Sequence, residues 1–153
     1  MSQLTEDLRA KHQRCCVNGC AERNCSLSLA GLARDDFVII SPDRVLGNTG
    51  GKRCDGLVFY DRGGLRVIPI ELKSGRFDAR EAAKQLTGGA QIAASESVIS
   101  AARVQEFIPL LLHKGIKAIE VRVLRGQRVR FRKAQYSITL KRCGFRLAEL
   151  LRD

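Results

Sequence analysis

Apolar and polar positions follow two different periods along this chain, and the switches between them mark its elements. Leu4 and Leu8 form an i,i+4 apolar pair in a short charged stretch, which predicts a first helix over 5–13. The run "DFVIISPD" predicts a strand closed by Pro42, and "LGNTGGKR" reads as a glycine-rich loop. Two apolar runs follow, "RCDGLVFY" and "LRVIPIEL", separated by "DRGG"; turn residues between stretches of similar length predict a hairpin. "DAREAAKQL" opens with an Asp78/Glu81 capping box and predicts a helix, which "TGG" interrupts or ends unless "AQIAASES" continues it. "EFIPLLLHKG" suits a buried strand or a short helix, and its period does not choose between them.

In the tail, Val129 and Phe131 interleave with Arg128, Arg130 and Arg132, while Tyr136, Ile138 and Leu140 interleave with Ser137, Thr139 and Lys141. This pattern predicts a second hairpin with one buried face and one basic face. "GFRLAELL" predicts a short closing helix. The order of elements makes a mixed α/β fold, a mixed sheet flanked by helices, in one domain over 1–153.

Composition narrows the picture. A chain of 153 residues with 44% hydrophobic and 28% charged residues is that of a folded domain rather than a disordered one. No run approaches eighteen apolar residues, and "MSQLTEDLRAKHQRCC" lacks the apolar core of a signal peptide, so no membrane partner and a cytoplasmic setting are expected. The net charge is +11, and the part from Lys114 onward carries twelve basic residues against three acidic ones. Such a one-sided basic region over 114–153 suits a polyanion, most often nucleic acid, although a solubilising face would read the same way. Arg128, Arg130, Arg132, Lys133, Lys141 and Arg142 are the candidate phosphate contacts, suited to positioning a strand rather than reading its sequence.

The most unusual feature is the charged end of "VIPIELKSG". Alternation along a strand turns Glu71 and Lys73 to one side and Ile68, Ile70 and Leu72 to the other. If "RGG" forms a three-residue loop with Gly64 left-handed, Asp61 pairs with Leu65 and Asp55 stands opposite Glu71. Two adjacent carboxylates repel unless a cation lies between them, and a hard divalent ion such as Mg²⁺ suits oxygen ligands. A two-residue loop would pair Asp55 with Ile70 instead and put the carboxylates on opposite faces unless a bulge intervened.

Asp55, the Glu71-Leu72-Lys73 triplet and the capped helix after them resemble the motif of the PD-(D/E)XK nuclease superfamily, which includes many restriction enzymes and Holliday junction resolvases. The resemblance spans Lys52 to about Ile92 (the region 52–92). It implies a restriction-endonuclease-like fold and Mg²⁺- or Mn²⁺-dependent hydrolysis of phosphodiester bonds, with DNA the expected substrate and a homodimer a common form. It further implies Asp55 and Glu71 as metal ligands, the Leu72 backbone carbonyl as a third, and Lys73 as the catalytic cation. Gln85 matches a glutamine of recombination-type members; the tyrosine that follows it there is Gly89 here. Cys54 replaces the proline of the motif, and Glu6 is the candidate for an extra acid from the first helix.

The segment 12–26 is rich in cysteine. Four cysteines could close a tetrahedral Zn²⁺ site, with His12 as an alternative ligand, so Cys15, Cys16, Cys20, Cys25 and His12 are candidate ligands for zinc or an iron–sulfur cluster. Inert thiols packed as small hydrophobes, or a redox-active pair, are the competing readings. In a reducing compartment a disulfide scaffold is not expected. Cys54 should face the core, Cys143 should be structural, and His113 should be a satisfied loop residue. Besides the nuclease, two functions stay open: a non-catalytic nucleic-acid-binding module with Cys-bound zinc, and a thiol-based sensor.

Overall fold

The computed structural model describes residues 2–47 and 50–152; Asn48 and Thr49 of the expected glycine-rich loop lie outside them. The chain is a mixed α/β protein built on one mixed sheet. Helix α1 (Gln3–Lys11) is capped by Ser2, whose side chain accepts from the Thr5 amide. Strand β1 (Cys16–Val17) is followed by a small separate ribbon, β2 (Ala21–Glu22) and β3 (Cys25–Ser26). Strand β4 (Phe37–Ile40) leads into a short helix α2 (Pro42–Leu46), then β5 (Gly56–Asp61), β6 (Leu65–Lys73) and α3 (Ala79–Ala94). Then come β7 (Val104–Phe107), β8 (Leu110–His113), α4 (Ala118–Gly126), β9 (Arg128–Phe131), β10 (Ala134–Ser137) and β11 (Thr139–Arg142). Single 3₁₀ turns stand at Arg34–Asp36 and at Leu147–Glu149, the latter in place of the expected short closing helix.

The main sheet runs β1-β4-β5-β6-β8-β11, with β7 also beside β6. Pairing is antiparallel from β1 to β6 and parallel from β6 through β8 to β11. The ambiguous "EFIPLLLHKG" is two strands broken by Pro109, which has no N–H to give the ladder. β7 lines the first part of β6 and β8 the second, so the latter stands against Glu71 and Lys73.

Each face of the sheet has its own core. Leu57, Phe59, Val67 and Leu111 pack with Leu8, Leu86, Ala90 and Leu124 from the helices. On the other face Val58, Tyr60, Ile68, Ile70 and Leu112 pack with Cys20, Cys25 and Leu27, and with Leu147 and Leu151 near the C-terminus.

The structure departs from the sequence pattern at the tail hairpin and at α4, and it decides how far α3 runs. The expected tail hairpin is split. β9 and β10 pair with each other, but the chain turns at Ile138 and β11 joins β8, where the Thr139 amide donates to the Pro109 carbonyl. Helix α4 has no counterpart in the sequence reading, because Ile119, Val121 and Val123 alternate with Glu120 and Arg122 as they would in a strand. Nor do Gly88 and Gly89 end α3. A Cβ at Gly88 would run into the Lys52 carbonyl, and one at Gly89 into the Cys54 sulfur, so the missing side chains let the helix lie on the segment that delivers Asp55.

Candidate active site

The β5–β6 hairpin has the three-residue loop. Asp61 pairs with Leu65 and Gly56 with Ile70, where the regular ladder ends; the Asp55 amide donates to the Ile70 carbonyl at 2.9 Å, one residue off register, as in a bulge. Gly63 takes the left-handed conformation, with φ +70°, and Gly64 has φ +139°. The left-handed position is therefore one residue earlier than expected, and the register is the same. Asp55 therefore stands at the end of the ladder, beside Ile70, and its side chain reaches Glu71 and Leu72.

The carboxylates meet. Asp55 Oδ2 accepts from the Leu72 amide at 2.7 Å, and Asp55 is close enough to Glu71 to share a proton with it. Glu71 is 1% exposed, and its Oε2 has no hydrogen-bond partner. Lys73 Nζ lies 3.3 Å from that oxygen but directs its hydrogen bond to Gln85 Oε1 at 2.9 Å. Burial, the first cause, and the neighbouring Asp55 push the Glu71 carboxyl up to about 9, against a smaller opposing effect of Lys73. Dehydration and like charge therefore outweigh the ammonium, and Glu71 holds a proton at neutral pH.

The donor set fits a hard cation. It offers two carboxyl groups, and in an extended strand the Leu72 carbonyl points to the same side as its amide, toward Asp55. A buried carboxylate oxygen with no hydrogen bond, and only an ammonium 3.3 Å away, is what a bound cation would satisfy. Among the described residues no group of three or more His, Cys, Asp or Glu side chains is arranged to hold a metal, so carbonyl and water oxygens would have to complete the shell.

A third acid at the site was missed. Glu22, on β2, is close enough to Asp55 to share a proton with it, and its carboxyl is pushed up by partial burial and by Asp55. The β2–β3 ribbon can sit here because Gly56 has no Cβ, and one would collide with the Cys20 sulfur. No period or motif marks Glu22 in a segment dominated by cysteines. Glu6, the expected extra acid, is exposed on α1. Glu22, Lys73, Ser74, Arg76, Asp78 and Glu81 line an open cavity of about 380 Å³ beside Lys73.

The cysteine-rich segment does not assemble into one centre. Cys25 is disulfide-bonded to Cys143, which corrects its expected role as a metal ligand and the expectation that disulfides are absent. The ribbon pairs Cys25 with Glu22 and turns its side chain into the core against β8, away from Cys15 and Cys16. His12 donates to or accepts from Glu96 Oε2 at 2.6 Å, and Lys11 contacts the other oxygen at 2.7 Å, so His12 is taken by an ion pair. Cys20 is buried and its thiol is pushed up to about 12, first by burial and then by Asp55. Cys54 faces the core as expected, and burial raises its thiol further.

The basic residues are dispersed as well. Arg132 donates to the carbonyls of Ile99 and Ala102 and lies over Phe131, whose ring stacks on Phe107. Phe107 pairs with Val67, four residues from Glu71 along β6, so this hairpin packs toward the far end of the strand. Arg128 donates to the Arg125 and Gln127 carbonyls at the end of α4, while Arg130 and Lys133 are exposed. Lys141 lies over Phe145. Two of the six are near the site in register: Arg142 is two strands from Lys73 through His113, and Lys141 two strands from Leu72 through Leu112. His113 is a strand residue, 8% exposed, with its Nδ1 unpartnered, rather than a satisfied loop histidine.

Comparison of the chain with family models, curated proteins and solved structures returns no match. Among the described residues no helix is long and apolar enough to cross a membrane.

Proposed function

We propose that this chain is a metal-dependent nuclease of the PD-(D/E)XK type, with a restriction-endonuclease-like fold, that hydrolyses phosphodiester bonds of nucleic acid, DNA in the first instance. The observation that carries the reading is the meeting of the Asp55 side chain and buried Glu71 at the end of the β5–β6 ladder, beside a lysine held by Gln85. As a structural device the arrangement is costly, since Glu71 is buried beside a second carboxylate and its ionisation is penalised. A divalent cation gives that arrangement a use.

Asp55, Glu71 and the Leu72 carbonyl would hold Mg²⁺ or Mn²⁺, which when bound supplies Lewis-acid charge and a more acidic water. Lys73 has an ammonium oriented by Gln85, able to hold a water or a phosphate oxygen and to offset negative charge that develops during hydrolysis. Glu22 adds a carboxyl on the open side of Asp55, within reach of a water or a proton.

The test is incubation of the purified protein with duplex, single-stranded and branched DNA and with RNA, with Mg²⁺ or Mn²⁺ and with chelator. Expected is cleavage of at least one form that requires the metal and is lost in Asp55→Asn. A folded protein that cleaves none of them rejects the reading. Salt-sensitive binding that survives Glu71→Ala would then favour the non-catalytic binding module.

A further inference from the structure

A second cavity, of about 360 Å³, opens at the same end of the sheet and is lined by Asn24, Ser26, His113, Lys114, Arg142, Cys143 and Gly144. The turn at Arg23–Asn24 stands between it and the cavity beside Lys73, since Arg23 borders one and Asn24 the other. Their linings differ in charge. Glu22, Asp78 and Glu81 face the first, whereas the second has no carboxylate in its lining and offers an amide, a hydroxyl, an imidazole, an ammonium and a guanidinium.

His113 distinguishes this cavity from a chance group of surface cations. It is 8% exposed, and its buried Nδ1 has no hydrogen-bond partner. It is fixed in the middle of a row across three parallel strands, with Lys73 beside it on β6 and Arg142 beside it on β11. Registered neighbours in a parallel sheet point to one face, and adjacent strands are about 4.8 Å apart. The row therefore sets Lys73, which borders the first cavity, beside His113 and Arg142, which border the second.

The Cys25–Cys143 disulfide holds both walls of this cavity, joining the ribbon that carries Asn24 and Ser26 to the end of β11. Cavity walls tied together in this way lose less backbone freedom when an anion enters.

We infer that this second cavity is a phosphate-binding subsite, held by Arg142 and Lys114 with Asn24 and Ser26, with His113 as its floor. In a nuclease it would hold a phosphate adjoining the one at Lys73, either within the strand or at its end. That assignment rests on the nuclease reading; binding of phosphate itself does not.

The chain has two histidines, so each can be followed separately by carbon–proton NMR of its ring. His12, committed to Glu96, is the internal control. Titration with inorganic phosphate should move the His113 signals saturably and leave His12 in place. Arg142 is exposed, so R142A should keep the fold and weaken this response about tenfold, as loss of a charge-assisted contact does. A His113 signal that does not move, equal drift of both histidines, or an unchanged response in R142A would each overturn the subsite.

Short oligonucleotides with and without a 5′-phosphate, added without metal, separate the sources. Displacement of phosphate only by the phosphorylated form identifies a terminal phosphate, and displacement by both identifies the strand backbone. Failure of both to displace it would overturn the role in strand binding. Because no readout uses cleavage, a saturable response in a protein that cuts nothing would keep the subsite and remove the nuclease reading.

Discussion

The two chemically loaded stretches of this chain behave in opposite ways. Asp55 and Glu71 are sixteen positions apart and meet, whereas Cys15, Cys16, Cys20 and Cys25 lie within eleven positions and part. The difference lies in the backbone between them. A hairpin with a fixed loop turns distance along the chain into contact across a ladder, residue by residue. A string of short turns and two-residue strands has no such constraint, and each thiol goes where local packing sends it. Closeness in sequence is thus a weak guide to a shared site, and register is a strong one.

The largest expected effect sharpens the cysteine side of this contrast. The Cys25–Cys143 bond closes a loop of 118 residues, for which chain entropy alone suggests about 4–5 kcal/mol of stabilisation. Cys143→Ser should lower the denaturant midpoint accordingly, and wild-type protein should show a comparable loss when a dithiol reductant is added. An unchanged midpoint in both would mean that the ribbon is held by packing alone.

Next is the carboxylate side. If the nuclease reading holds, Lys73→Ala should reduce metal-dependent cleavage by about 10²–10³-fold, the scale of losing one preorganised electrostatic group. Gln85→Ala should reduce it less, because Lys73 keeps its contact with Glu71 at 3.3 Å. Rates measured under single-turnover conditions would separate the two. Equal losses would make Gln85 a direct participant rather than a residue that orients the lysine.

The sequence made the carboxylate pair legible because everything needed was local: the loop length, the alternation and the capped helix that follows. Glu22 was not legible, since its approach to Asp55 depends on a ribbon landing where Gly56 leaves room for Cys20. Helix α4 was hidden for another reason. Its β-branched residues alternate with charge, and only packing of Leu124 into the helix-side core decides its form. The basic tail misled in a third way, because charge on a sequence does not reveal which arginines, such as Arg132, are already bonded to carbonyls.

The buried acid also sets a pH dependence. Glu71 keeps its proton in the folded protein to about pH 9, whereas the unfolded chain loses it near the ordinary value of 4.5. Between these values the folded state binds the extra proton, so this residue makes stability fall as pH rises. Over pH 6 to 8 the loss attributable to Glu71 is about 2–3 kcal/mol, at about 1.4 kcal/mol per pH unit for one proton. Glu71→Gln, which mimics the protonated acid, should remove this slope in metal-free buffer while abolishing cleavage. A slope that persists in the variant would locate the proton elsewhere, Glu22 being the next candidate.

The smallest expected effect probes how the site is supported from behind. In an exposed helix, Gly→Ala gains about 1 kcal/mol. At Gly88 the added Cβ meets the Lys52 carbonyl, a backbone atom that cannot rotate aside as a long side chain could. Overpacking of this kind costs about 1–3 kcal/mol, so the balance for Gly88→Ala is a net loss of about 1 kcal/mol. In a chain of this size that lowers the melting temperature by about 2–4 °C. The segment from Lys52 to Asp55 must also move, so cleavage should fall more than stability does. Gly115→Ala, where nothing lies within 4 Å of the added carbon, is the control and should leave cleavage intact. If Gly88→Ala instead stabilised the protein without loss of cleavage, the helix would not be what holds Asp55 against Glu71, and the ladder alone would have to do so.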